Sequence, residues 1–171
     1  SVTAAGLVFT RLISIEDDYR IAVRDQFHNP GGQPALLPAG RLSLGAMRDD
    51  RADALGLDIL PATGGKGVLN WAKQIPGLFK KQADGNRVPR RLEHAVKEPI
   101  DWLAVKNKFF VQILVPDPGA AGFSVLAERA LAEGEAQDPA RAPKSAQLRA
   151  LSASADLAPQ TLDAGAAAAQ S

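Results

Sequence analysis

"WLAVKNKFFVQILVP", residues 102–116, holds the densest apolar run in this chain of 171 residues. Three readings compete for it: a membrane anchor, a catalytic segment and a buried strand. The run from Phe109 to Val115 is about a third of the ~20 residues a spanning helix needs, and Gln112 interrupts it. The stretch supplies no nucleophile, no base and no ligand set. Phe109, Val111, Ile113 and Val115 share one parity, and Phe110 and Leu114 share the other with Gln112 between them. An apolar run loaded on both faces reads as a central strand covered on both sides. Lys106-Asn107-Lys108 then reads as a break or turn after the Trp102 segment. Pro116, which lacks an N–H, stops the ladder. This placement predicts that a charge at Phe110 unfolds the domain.

Outward from that run, the other segments also read as β. In "DYRIAVRDQFHN" (18–29), Tyr19, Ile21, Val23 and Phe27 alternate with polar residues, the period of a strand with one dry and one wet face. Asp25 breaks the apolar parity, which marks it as a strand-edge residue or one with a partner. "LVFTRLISI" (7–15) is rich in β-branched residues, and "EDD" (16–18) is a polar turn, so the two segments form a hairpin. "NPGGQP" (29–34) is a strong turn. "ALLPAGRLSLGAM" (35–47) reads as a third strand with Pro38 at an edge or bulge, which makes the first three strands an antiparallel meander. "FSVLAERAL" (123–131) fits a strand, though its composition also fits a helix. "SAQLRALSASADLA" (145–158) is a candidate last strand, and "AGAAAAQS" reads as a frayed Ala-rich tail or linker. The expected organisation is one β-sandwich domain over residues 1–165, or the later part of one, followed by a tail at 166–171.

Composition narrows the function classes. Aromatic residues are only 5% of the chain, so the core must be largely aliphatic. The net charge of +1 provides no global pull toward nucleic acid or membrane. Cysteine is absent, which removes disulfides, thiolate catalysis and Cys-type metal sites. No signal peptide or spanning helix is visible, so the chain as written reads as soluble. The middle, about 48–98, reads as a solvated, irregular excursion. From Lys66 to Lys108 there are ten Lys or Arg against four Asp or Glu, an excess of six. That excess leaves open a contact with anionic lipid head groups through Lys73, Lys80, Lys81, Arg87, Arg90 and Arg91, with Trp71 and Phe79 dipping in. No nucleic-acid-binding motif accompanies it.

Catalytic motifs are missing. His28 and His94 have no matched ligand spacing and read as surface residues. No H-E-x-x-H, G-x-S-x-G, Walker loop or G-x-G-x-x-G occurs. "TGGKG" (63–67) lacks the phosphate-loop spacing, and "EDD" (16–18) reads as a solvated turn. No catalytic, cofactor or metal residue is assigned. One enzymatic alternative stays open: a carbohydrate-binding or mutarotase-like β-sandwich, in which His28 or His94 would have to meet a carboxylate in a groove.

Three ordered segments resemble the YidC/Oxa/Alb membrane-protein insertase family, in its large periplasmic domain. Trp102, Phe109, Phe110 and Pro116 match a Trp-led stretch with an aromatic pair and a closing "VP". "FTRLISIEDDYRIAVRDQFHNPGGQP" (9–34) is similar to the family's strand pair, through Phe9, Arg11, Tyr19 and Asn29 before a Gly turn. "LDAG" (162–165) resembles the "L-x-P-G" that precedes the last strand before the family's membrane region. The resemblance runs from about Leu7 to Gly165. The basic middle and the Ala-rich tail do not align, and the family's membrane helices are absent from this chain. It implies a mainly β, antiparallel sandwich of the galactose-mutarotase-like, super-sandwich kind with a minor helix. It also implies a non-catalytic accessory domain on the periplasmic side of the bacterial inner membrane, without a cofactor. The implied partners are Sec translocon accessory subunits and client membrane proteins, reached through the parent protein.

Overall fold

β-Branched and aromatic side chains fit the pleated, half-buried surface of a sheet, and most of the described chain is antiparallel strand. The structure, a computed structural model, describes residues 2–4, 6–17, 20–48, 56–64, 74–81, 88–117, 119–130 and 148–170. In chain order the elements are β1 (Val2–Ala4), β2 (Leu7–Ile15), β3 (Ile21–His28), β4 (Ala35–Leu37), β5 (Gly40–Ser43), β6 (Met47–Arg48) and β7 (Asp58–Ala62). After α1 (Ile75–Lys81) come β8 (Arg91–Val96), β9 (Trp102–Lys106), β10 (Val111–Leu114), β11 (Gly122–Arg129), β12 (Leu148–Leu157), β13 (Gln160–Leu162) and β14 (Ala167–Gln170).

The main core lies between two facing sheets. One has the order β5-β12-β11-β8, with β6 also on β12; the other has the order β10-β9-β7. Strands β11 and β12 form the centre of the larger sheet. Their register pairs Phe123 with Ala155, Val125 with Ala153 and Ala127 with Leu151. Each large side chain therefore faces a small one, and all six are buried. This complementarity lets the layer pack densely against the facing sheet. From that sheet come Ile59, Leu103 and Val105, and from α1 come Ile75 and Phe79. The two helix residues are four apart, on one face of a short amphipathic helix with Pro76 in its first turn. At the start of β11, Gly122 passes so close to β8 that a Cβ there would lie 2.4 Å from the Val96 carbonyl oxygen. Only glycine fits that approach.

Buried Arg129 closes the other end of β11. Its guanidinium donates to the backbone oxygens of Pro89 (3.0 Å), Val88 (2.6 Å) and Ala130 (3.0 Å). A buried cation is tolerated when its donors are satisfied in this way, and these bonds hold the chain just before β8.

A second, smaller core joins a sheet of order β1-β2-β3-β14 to the β13–β4 pair. Leu7, Leu37 and Leu162 are buried there, with Phe27, Ala35 and Ala168 packed against them. Asn29 fastens this end. Its buried side-chain amide donates to Gln33 O, Leu162 O and Asp163 O at 2.8, 3.1 and 3.2 Å, while its Oδ1 accepts from Gly31 N at 3.0 Å. Its own backbone completes the link, accepting from Gly165 N and donating to Ala166 O. Gly165 makes the turn at φ +72, where a Cβ would be strained.

The antiparallel sandwich is as expected, and so are the β2–β3 hairpin and the strand assignment of β11. Four expectations are corrected. The first concerns the run after Trp102. The buried strand is β9, the lead-in Trp102–Lys106, whereas β10 is the edge of its sheet. Phe109, Phe110, Val111, Ile113 and Val115 are all exposed. Both faces of the run are apolar, but no element covers β10 on the outside among the described residues. Second, residues 35–47 do not continue a meander. The chain turns at exposed Pro38 and divides into β4 on β13, β5 on β12 and β6 on β12. Third, Ala167–Gln170 is not a frayed tail: it pairs with Asp25–His28 as β14. Fourth, the basic middle is not wholly a solvated excursion, because Leu57, Ile59, Ile75 and Phe79 are core residues.

Two substitutions check this placement. Phe110→Asp, at 69% exposure, is expected to leave a cooperative thermal transition within a few degrees of the parent. Phe123→Asp puts an uncompensated charge in the core at 1% exposure and is expected to abolish that transition. Asn29→Ala strips several backbone groups of their partner and is expected to cost about 2–3 kcal/mol in chemical denaturation. A loss below about 0.5 kcal/mol would show that the turns hold without it.

Candidate functional site

The residues singled out by pattern fall into two places. The first is the β2–β3 hairpin. The register sets Phe9 opposite Phe27 and Arg11 opposite Asp25. The Phe rings lie 5.2 Å apart and are tilted by 35°, and the Arg11 guanidinium sits 5.5 Å from the Phe9 centroid. Arg11 Nε and Nη2 each donate to one Asp25 carboxylate oxygen at 2.7 Å, the two-pronged geometry that arginine makes best. That hydrogen bonding, with the carboxylate charge behind it, raises Arg11 above its ordinary value. Asp25 is buried, which accounts for an acid on the apolar parity: it is the partner of Arg11. These groups brace the hairpin through one another. Tyr19, the remaining motif residue of this segment, lies outside the described residues.

The second place is the β9–β10 hairpin. Trp102 is half-buried at the start of β9, and Pro116 is buried just past β10. The expected turn at Lys106-Asn107-Lys108 is present. Asn107 Oδ1 accepts from Phe109 N and Phe110 N, both at 2.8 Å, and Asn107 N donates to Phe110 O at 2.9 Å. A side-chain oxygen that closes a turn on the following amides is what Asn does well. The result is a fixed apex that presents two phenylalanines outward.

A feature that pattern reading missed lies on the outer face of the β5-β12-β11-β8 sheet. Ser43, Ser154 and Ser124 stand side by side across three strands. They line a shallow trough of about 150 Å³ together with Arg41, Glu93 and Ser152. Arg41 donates to Glu93 at 2.9 Å and pairs with Asp156 at 3.1 Å, and Ser124 Oγ donates to Asp156 at 2.8 Å. The Glu93 hydrogen bond and then the Asp156 charge raise Arg41. The trough's carboxylates are thus held by an arginine and a serine. The signal for this face is the alternating Ser-Ala-Ser-Ala-Asp run, residues 152–156, whose polar parity faces out.

The alternative of a sugar enzyme needs a histidine beside a carboxylate in a groove. His94 follows Glu93 directly on β8, so strand alternation sends it to the opposite face from the trough. His28 is exposed on β3, in a different sheet. A larger hollow of about 400 Å³ is lined by Ile100, Asp101, Asp117, Leu157 and Gln160 among others. Neither hollow has a histidine or an aromatic ring among the described residues that line it. Among the described residues no His, Asp and Glu cluster could hold a metal ion.

The lipid contact foreseen for the basic middle is corrected in one part. Phe79 is fully buried in the main core, so it cannot dip into a bilayer. Arg90 pairs with Glu128 at 2.9 Å. Trp71, Lys73 and Arg87 lie outside the described residues.

Among the described residues no helix is long and apolar enough to cross a membrane. The family model of the YidC periplasmic domain matches residues 1–166. The membrane protein insertase YidC of Roseobacter denitrificans is 30% identical over 122 residues, covering 68% of this chain and 19% of that protein. That of Caulobacter sp. (strain K31) is 27% identical over 117 residues, covering 65% of this chain and 19% of its own length. The match thus spans about a fifth of either curated relative. The chain, an antiparallel sandwich in its described residues, belongs to the YidC periplasmic domain family.

Proposed function

We propose that this chain is a non-catalytic accessory domain of a YidC-like membrane protein insertase, held on the periplasmic side of the bacterial inner membrane. It supports the insertion and folding of inner-membrane proteins, alone or beside the Sec translocon. The observation that carries this reading is the family match across residues 1–166. The chemistry of the domain supports it. Arg41 in the trough is paired with both Glu93 and Asp156, and Arg11 braces a hairpin through Asp25 rather than facing a cleft. What such a domain offers a partner is shape and surface. The partners that fit the reading are accessory subunits of the translocon and client membrane proteins.

The test uses the full-length protein in membranes, with and without the segment corresponding to residues 1–166. Deletion is expected to leave the insertion of a short, Sec-independent client within about threefold of the parent. It should also remove co-purification of translocon accessory subunits. Complete loss of insertion of that client would make the domain part of the insertion machinery and overturn the accessory role. Unchanged co-purification would overturn the proposed partner.

A further inference from the structure

The β9–β10 hairpin has a composition and a shape that bracing does not require. At its apex Phe109 and Phe110 are 62% and 69% exposed, and down its outer face Val111 and Ile113 are 54% and 59% exposed. Large apolar side chains clustered on an edge strand are an aggregation hazard unless something covers them. The charges around them are arranged along the hairpin. Exposed Lys108 and half-buried Lys106 stand at the apex, and the Lys108 ammonium lies 5.7 Å from the Phe109 ring centroid. Asp58, buried across the ladder from Lys106, offsets part of that charge. At the opposite end, Asp101 precedes β9 and Asp117 follows β10, both exposed. The apex is therefore cationic and aromatic, and the base is acidic.

We propose that the hairpin apex at Phe109 and Phe110 docks on an anionic bilayer surface, with the rings in the headgroup boundary and Lys108 among the lipid phosphates. Aromatic rings backed by lysine suit that boundary, because the rings leave water while the ammonium keeps polar neighbours. The acidic base sets the orientation, since an anionic surface repels Asp101 and Asp117. A second exposed apolar tip among the described residues, Ile15 and Ile21 on the β2–β3 hairpin, has Arg20 paired with Glu16 and a further acid, Asp17, in its turn, the wrong sign for the same surface. A second copy of the chain is the weaker occupant. The two rings lie beyond the last ladder pair, Lys106 with Val111, so strand-to-strand pairing along β10 leaves them out. The Asn107 hydrogen bonds hold the apex ready, so docking costs little ordering. From the proposed function this surface takes only that a bilayer lies within reach.

The test is co-sedimentation of the 171-residue chain with vesicles of equal phosphatidylglycerol and phosphatidylcholine, against pure phosphatidylcholine. The chain is expected to bind the anionic vesicles and to release as salt rises. Phe109→Ser/Phe110→Ser is expected to reduce binding roughly 30-fold or more. Lys108→Glu should reduce it roughly 10- to 30-fold, and both variants should keep the parent's thermal transition. Absence of binding by the parent overturns the proposal, and so does equal binding by the parent and Lys108→Glu. A dimer in sedimentation equilibrium that the Ser variant dissolves, with no vesicle binding, assigns the face to a second copy and also overturns it. The assay has no insertion readout, so its failure leaves the accessory role standing.

Discussion

The ladder between β11 and β12 is the constraint on which the rest of the sandwich depends. Strand alternation divides it into a dry face and a serine face, and a one-residue slip would exchange the two. The pairing of Phe123 with Ala155, Val125 with Ala153 and Ala127 with Leu151 fixes the register by volume as well as by polarity. Everything packed on the dry face inherits that register: β9 and β7 from the opposite sheet, and α1 through Ile75 and Phe79. On the wet face, Arg41 ties β5 to β8 across the two central strands, through Glu93 and Asp156. These exposed pairs contribute little to stability individually, but they set charged groups across the outer surface of the sheet.

How much was legible depended on whether local pattern or a distant partner decided the outcome. The β2–β3 hairpin followed from alternation, β-branched content and a polar turn, and even its exception was informative: Asp25 broke the apolar parity because Arg11 stands opposite. The turn at Asn107 was legible because Asn closes such turns with its own side chain. The run Phe109–Val115 was misread for a physical reason. Apolar residues on both parities say that a strand would be covered, not that anything covers it, and β10 is an edge. The destinations of β4, β5 and β6 were hidden because their partners lie more than a hundred residues away. Ala167–Gln170 has low strand propensity, and only the open edge of β3 makes it a strand. In the basic middle, lysines and arginines masked the four-residue spacing of Ile75 and Phe79.

Phe9, Arg11 and Asn29 act as structural fasteners of different kinds. Phe9, Arg11 and Asp25 stiffen one hairpin by ring contact and a two-pronged ion pair. Asn29 joins two turns, and Trp102 and Pro116 flank a hairpin whose apex is left bare. The serine trough, by contrast, has only the alternating Ser-Ala-Ser-Ala-Asp run as a local sign, and it forms where three strands lie side by side. Residues that close turns are written in the local sequence, whereas a surface exists only after the fold has assembled it.

The link between Asn29 and the turn at residues 162–166 also orders events in time. Strands β2 and β3 are adjacent in sequence and can pair as soon as both are available. The outer edge of β3, however, is capped by β14, and Asn29 finds its carbonyl partners 133 and 134 residues further along. A chain crossing a membrane from its amino end would therefore expose that edge until the last strand followed. Contacts of such long sequence separation form slowly, and an unpaired edge in the interval is open to wrong partners. The feature that fastens the finished domain thus defines the period in which the emerging chain is most vulnerable.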